Sequence, residues 1–264
     1  MRRNKLNPRQ LLTGLMAGVL SICGGAAKAG SDATDKLWTA TYDARQKYFE
    51  QHLGPFPKDI LKMANMTGVW PGGGLFILPA TKLGKSLSVY TTFGLSNPDM
   101  PTSVQMNDFR SEPGSNGGAR AQGVLVKKTP AAKRPGAAGY GYELLVLARP
   151  GEQWPLNLLQ WVVNAEILND VGLLTRVEKY DGLTVEKVDV GNGQQVNILI
   201  AKARAPLPTG TQLPDGRMEL LVATTITDEE MRWSQANGRG ALLEKLMQGD
   251  AGQASVIGRQ SVVR

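Results

Sequence analysis

Side chains suited to proton transfer near neutral pH are scarce in this 264-residue sequence, which holds one histidine, His52, and one cysteine, Cys23. A lone histidine closing a helical stretch reads as a helix-end residue interacting with the last carbonyls. Without a second histidine no Ser–His–Asp relay can be built elsewhere, and no serine stands in a Gly-x-Ser-x-Gly turn. The carboxylates are scattered. Their densest set, Asp228-Glu229-Glu230, directly follows Thr227, where acidic residues complement the positive end of a helix dipole. Glu143 differs because it interrupts an apolar run. It is either a buried acid with a raised pKa or a charge turned outward at a strand's edge, and the outward reading is adopted. The chemical alternative pairs Glu143 with Asp181 or Asp189 in a hydrolase, although no spacing demands it. Gly72-Gly73-Gly74 lacks the Gly-Lys-Ser/Thr ending of a phosphate loop, and Gly139-Tyr140-Gly141 lacks a third glycine and precedes a strand. Asn65-Met66-Thr67 is a lone glycosylation tripeptide. No catalytic set emerges, and neither cofactor nor metal is expected.

The compartment is read from residues 1–29, which have the form of a secretory signal. Arg2, Arg3, Lys5 and Arg9 precede the apolar Leu11–Ile22, and Ala27-Lys28-Ala29 is a small-x-small cleavage site before Gly30. The apolar run is shorter than the roughly 20 residues that span a bilayer. Cleavage after Ala29 predicts a periplasmic or secreted protein with no transmembrane segment in the mature chain. It also discards five basic residues and no acidic one, so the net charge falls from +7 to +2, from 25 basic and 23 acidic residues. A nucleic-acid partner is therefore not expected. Cys23 leaves with the signal, and Ile22 before it is a poor lipidation context, so no thiol chemistry is expected of the mature chain.

Periodicity supplies the elements that would position any site. Asp32 to Leu53 reads as a helix with Leu37, Thr41, Ala44 and Tyr48 on its inner stripe, stopped by Gly54-Pro55. A second short helix is expected from Pro57 to Ala64. Leu75–Leu78 is a short apolar run, Leu87–Leu95 a strand, and Tyr142–Arg149 a strand covered on both faces. Ser111 to Gly139, rich in Gly, Pro and Ala, is expected to be a mobile excursion with one short strand at Val124–Val126. Trp154-Pro155 opens a largely buried helix, and Trp154, Trp161 and Trp233 are assigned to core packing. Leu183–Val190 and Val196–Ala203 flank the hairpin turn Gly191-Asn192-Gly193, and Met218–Thr225 is a further strand. Thr227 with Glu230 is a capping box, and Leu242 to Met247 mark a last helix. Strands and helices that mix without strict alternation predict an α+β fold.

Six segments in order carry a resemblance to a known family: Thr91–Ser96 (TTFGLS), Gly141–Leu144 (GYEL), Trp154–Gln160 (WPLNLLQ), Asp181–Val185 (DGLTV), Thr227–Met231 (TDEEM) and Asn237–Leu243 (NGRGALL). From Thr81 to Val263 the chain resembles the suppressor-of-fused (SUFU) domain family. The resemblance implies a single α+β domain over 81–264, with a mixed sheet flanked by helices and with residues 30–80 as an N-terminal helical segment. It further implies a binding protein without catalysis. The animal members sequester Gli transcription factors, and bacterial members resemble immunity proteins, so the implied partner is a protein, concretely a toxin met in the envelope. In the animal family partner contacts lie partly in the loop corresponding to Asn97–Phe109. Asn97, Asp99, Asp108 and Tyr140 are the candidate partner-binding residues.

Overall fold

The computed structural model describes residues 32–56, 64–65, 68–69, 74–83, 86–102, 104–113, 119–129, 132–250 and 252–263. The signal segment, Pro57–Met63, the Asn65-Met66-Thr67 tripeptide beyond Asn65, and Gly72-Gly73 lie outside the described residues. Helix α1 (Asp32–His52) comes first, followed by the short pair β1 (Ala64–Asn65) and β2 (Gly68–Val69). Next come β3 (Gly74–Pro79), β4 (Ser88–Phe93), β5 (Val104–Pro113), β6 (Ala119–Lys127) and β7 (Ala137–Ala148). Helices α2 (Trp154–Asn169) and α3 (Leu173–Tyr180) precede β8 (Leu183–Asp189), β9 (Gln195–Lys202), β10 (Gly210–Leu213) and β11 (Gly216–Ile226). Helices α4 (Asp228–Asn237) and α5 (Arg239–Gln248) close the sequence of elements.

Seven strands make one mixed sheet in the order β3-β4-β7-β11-β9-β8, with β10 beside β11. The β7–β11 pair is parallel and the other pairs are antiparallel. Strand β7 is buried along its whole length, as its two-sided apolar sequence requires. Its even-numbered residues Tyr142, Leu144 and Val146 meet Leu158, Leu159 and Val163 of α2 and Leu174 of α3. Leu145 and Leu147 face the opposite layer with Phe49 and Leu53 of α1. Helices α4 and α5 extend that second layer over Leu199 and Ala201. The α+β expectation holds, with helices on both faces of a mixed sheet.

Four local expectations need correction. The buried stripe of α1 is Thr41, Arg45, Phe49 and Leu53, one residue for every turn, while Leu37 stays exposed. An arginine stands in that stripe, so hydrophobicity alone pointed to the neighbouring face. Trp161 lies on the solvent side of α2 at 42% exposure, whereas Trp154 is buried. The Ser111–Gly139 stretch is built into strands at both ends. Ser111–Pro113 belongs to β5, Val124–Val126 lies inside β6, and Ala137–Gly139 begins β7. Strands β5 and β6 form an antiparallel ribbon with an irregularity between Asn107 and Arg110. Finally, Ala64, placed in a helix from sequence, belongs to β1. No described helix is long and apolar enough to cross a membrane.

The burial pattern sets an order of mutational costs. Phe49→Ala, which empties a fully enclosed site between α1 and the sheet, costs about 3–5 kcal/mol in urea denaturation. Trp161→Ala stays within about 0.5 kcal/mol of wild type.

Candidate functional site

Three of the four expected partner-binding residues, Asn97, Asp99 and Tyr140, lie near the corner where β4 ends and the chain turns through Gly94-Leu95-Ser96-Asn97. Glu143, on the neighbouring β7, holds that corner. Its Oε1 accepts hydrogen bonds from Gly94 N at 2.8 Å, Ser96 N at 3.0 Å and Ser96 Oγ at 2.7 Å. Its Oε2 accepts one from Thr92 Oγ1 at 2.7 Å, and that hydroxyl accepts in turn from Leu144 N at 2.8 Å. Above them lies Arg45 of α1. Its Nη1 stands 3.4 Å from Oε1 and donates to Ser96 Oγ at 2.9 Å, and its Nη2 donates to Asn97 Oδ1 at 2.8 Å. The guanidinium carbon is 4.0 Å from the centre of the Phe93 ring. Both side chains are fully enclosed.

This geometry overturns the outward placement of Glu143. A carboxylate can be buried when hydrogen bonds and a counter-charge replace its water, and the corner provides both. The Arg45 guanidinium lies below its ordinary value because burial outweighs the opposing pull of Glu143 and the smaller one of Tyr42. Its Nε is unpartnered among the described residues, as is Thr41 Oγ1 one turn earlier.

Asn97 and Tyr140 belong to the inside of the corner. Asn97 is 1% exposed. Tyr140 is buried, its N–H donates to Leu95 O at 2.8 Å, and its hydroxyl donates to Pro101 O at 3.0 Å. Burial, and then the negative charges of Glu166 and Asp170, push the Tyr140 phenol up. Gly139 is required here, because at its positive φ a Cβ would collide with the carbonyl oxygens of Leu95 and Asn97. Asp99 is exposed beyond the turn, and Asp108 lies on β5. Asp99 is thus the exposed member of the set, while Asn97 and Tyr140 are enclosed beneath it. The ribbon's base is pinned where Thr102 Oγ1 donates to Lys128 O at 2.7 Å. Lys128 Nζ donates to the Ile167 and Leu168 carbonyls and pairs with Asp170 at 2.7 Å.

Two further glutamates repeat the device. Glu166, 1% exposed, accepts from Tyr142 Oη at 2.8 Å, Gly172 N at 3.0 Å and Leu173 N at 2.9 Å, fixing the α2–α3 corner. Burial and the Glu166 charge push the Tyr142 phenol well up. Glu230 completes the Thr227 capping box and also accepts from Val262 N at 2.8 Å and from both Arg259 Nη atoms at 2.6 Å. Burial alone would raise the Glu230 carboxyl, but Arg259 and the Val262 and Thr227 N–H groups outweigh it and hold it below its usual range. These second roles were not visible in the sequence.

The arrangement does not assemble the carboxylate pair considered from sequence. Asp181, just before β8, and Asp189, its last residue, are exposed, and β8 lies three strands from β7, or about 14 Å at the usual strand spacing. Asp189 Oδ1 accepts from Gly191 N in the hairpin turn, and the Asp181 side chain occupies the space where a Cβ on Gly240 would stand. His52 ends α1 as expected, with its ring 4.6 Å from that of Tyr48. Among the described residues no group of three or more His, Cys, Asp or Glu could hold a metal ion.

The model of the suppressor of fused protein family (SUFU) matches residues 71–260, most of the chain. The chain belongs to the suppressor of fused family. The match starts after α1, so Arg45 reaches into the SUFU region from outside it. No curated protein matches the sequence. Among solved structures, the chain is similar to one in the crystal structure of a Sufu–Fu complex, at 15% identity and a TM-score of 0.52, covering 86% of this chain and 92% of that one. It is also similar to Drosophila Suppressor of Fused, at 17% identity and a TM-score of 0.49, covering 85% of this chain and half of that one. The first likeness establishes the SUFU fold. The six segments recognised in sequence fall inside the family match, and three of them contain the buried carboxylates or the hydroxyls and amides that satisfy them.

Two outcomes follow. Glu143→Leu strands Arg45 and two backbone N–H groups, and costs about 3–5 kcal/mol in urea denaturation. Arg45→Met leaves Glu143 buried without its counter-charge and also costs about 3–5 kcal/mol, and the double variant costs less than the sum. For Glu230 the folded carboxyl titrates below its unfolded value of about 4.3, so its stabilisation is complete above that pH and lost as pH falls through the folded value. Acid titration of Arg259→Met, followed by circular dichroism, therefore shows a shallower loss of stability below pH ~4.3 than wild type.

Proposed function

We propose that the chain is an exported, non-enzymatic protein-binding domain of bacterial origin, and that it acts as an immunity protein occluding a toxin in the cell envelope. The observation that carries this reading is the β5–β6 ribbon. It leaves a rigid, hydrogen-bonded corner directly after the Gly-Leu-Ser turn, and its strands pair only with each other in the described residues. Strand β2 lies close to β5, so β6 is the strand whose outer edge is left to an incoming strand among the described residues, and such edge addition is a common mode of protein recognition. Asp99 at the corner and Asp108 on β5 add acidic groups that favour a basic partner surface. Membership of the SUFU family supports a binding role, and the Sufu structure it resembles was solved in complex with Fu. Export is supported by Arg2, Arg3, Lys5 and Arg9, by the apolar Leu11–Ile22 and by the Ala27-Lys28-Ala29 site.

Competition between a strain lacking the gene and its sibling strains tests the reading. The deletion strain loses viability against a toxin-delivering sibling. Wild-type protein restores survival, and a chain carrying Asp99→Lys and Asp108→Lys restores it at least tenfold less. Terminal sequencing of the protective protein from the envelope fraction begins at Gly30. Unchanged survival against every sibling, or protection by a chain without its first 29 residues, contradicts the proposal.

A further inference from the structure

A second recognition surface lies on the opposite half of the sheet from the ribbon, where β11 ends and turns into α4. Strand β9 pairs with β11 only from Asn197 to Lys202, while its first residues, Gln195 and Val196, pair with β8 alone. Because β11 stops at Ile226, the side of β9 facing away from β8 has no strand beside Gln195 and Val196 among the described residues. The notch opens into a groove of about 710 Å³, whose far wall is the segment Val256–Ser261. That volume lies within the range of ligand-binding clefts.

The lining chemistry narrows the occupant. Gln195, Asn197 and Gln260 contribute carboxamides, and Val196, Ile226 and Ile257 contribute small apolar surfaces. Among the described residues no aromatic ring lines the groove, so they offer a sugar or a base no stacking platform. Arg259 is already engaged by Glu230, which leaves Lys187 as the one lining cation without a recorded ion pair among the described residues, too little for a phosphate group. Asp228 and Glu229 are exposed along one lip; Glu229 has an exposed, loosely held partner in Arg232 at 3.7 Å, and the carboxylate of Asp228 accepts from Asn197 Nδ2 at 2.7 Å. In the floor, Thr225 is 5% exposed and its Oγ1 has no partner among the described residues. A buried hydroxyl without a partner is an uncommon feature that a bound polar group would satisfy.

We infer that this groove binds an extended peptide segment of a partner protein, adding to the free edge of β9 and placing a basic side chain against Asp228 and Glu229. Carboxamides, a free strand edge and alternating apolar spots match a peptide backbone with alternating side chains. The surface is separate from the ribbon and does not depend on the ribbon's role.

The probe is the heptapeptide Lys-Val-Lys-Val-Lys-Val-Lys, titrated into the isotopically labelled protein and followed by amide shifts. Perturbations gather at Gln195, Asn197, Thr225 and Ile257, while Glu-Val-Glu-Val-Glu-Val-Glu causes none there. Asp228→Asn with Glu229→Gln weakens binding at least tenfold. Ile257→Arg, at a side chain 41% exposed and so harmless to the fold, weakens it similarly through like charge. Absence of binding at millimolar peptide, equal binding of the acidic peptide, or shifts confined to β5 and β6 overturns the inference. Loss of the same amide signals on dimerisation without peptide also overturns it, by making a second copy the occupant.

Discussion

A carboxylate taken out of water must find its hydrogen bonds inside the protein, and the placement of Glu143 organises much of this fold around that requirement. Strand β7 is buried on both faces, so Glu143 cannot reach solvent. The turn after β4 folds back until two N–H groups and two hydroxyls point at its oxygens, and α1 lays Arg45 across the opening. Removing any one partner leaves another buried group unsatisfied, so the corner has little freedom to rearrange. The ribbon leaves from this corner, and its direction is inherited from it.

Glu166 and Glu230 extend the same logic to two other corners. Each takes backbone N–H groups that a turn leaves unpaired, and each is backed by a donor from elsewhere in the chain, Tyr142 in one case and Arg259 in the other. Three buried glutamates thereby tie together elements that would otherwise meet only through apolar contacts. Apolar layers alone tolerate sliding, whereas these bonds specify one arrangement.

The sequence made the long helices, the Thr227–Glu230 cap and most of the sheet strands, though not β10, legible, because each rests on local periodicity or spacing. It did not reveal the hub. Glu143 and Arg45 are 98 residues apart, and each alone reads as a surface charge. The clue was the i, i+4 row Thr41-Arg45-Phe49-Leu53, which becomes a core stripe only if an arginine is admitted to it. Alternation along β7 also places Glu143 on the face of Leu145 and Leu147, hence inside. The ribbon was hidden for a different reason. Its Gly, Pro and Ala content weakens strand propensity, and β5 pairs with β6 rather than with the main sheet. Of the candidate contact residues, the sequence could not separate the buried Asn97 and Tyr140 from the exposed Asp99.

Hydrogen exchange at the Gly94 and Ser96 amides tests most directly whether Glu143 locks the corner. If it does, both amides exchange only through global unfolding, with the same free energy as the central amides of β7, despite lying in a turn. Exchange of either amide orders of magnitude faster than the β7 core, through local opening, would contradict the account.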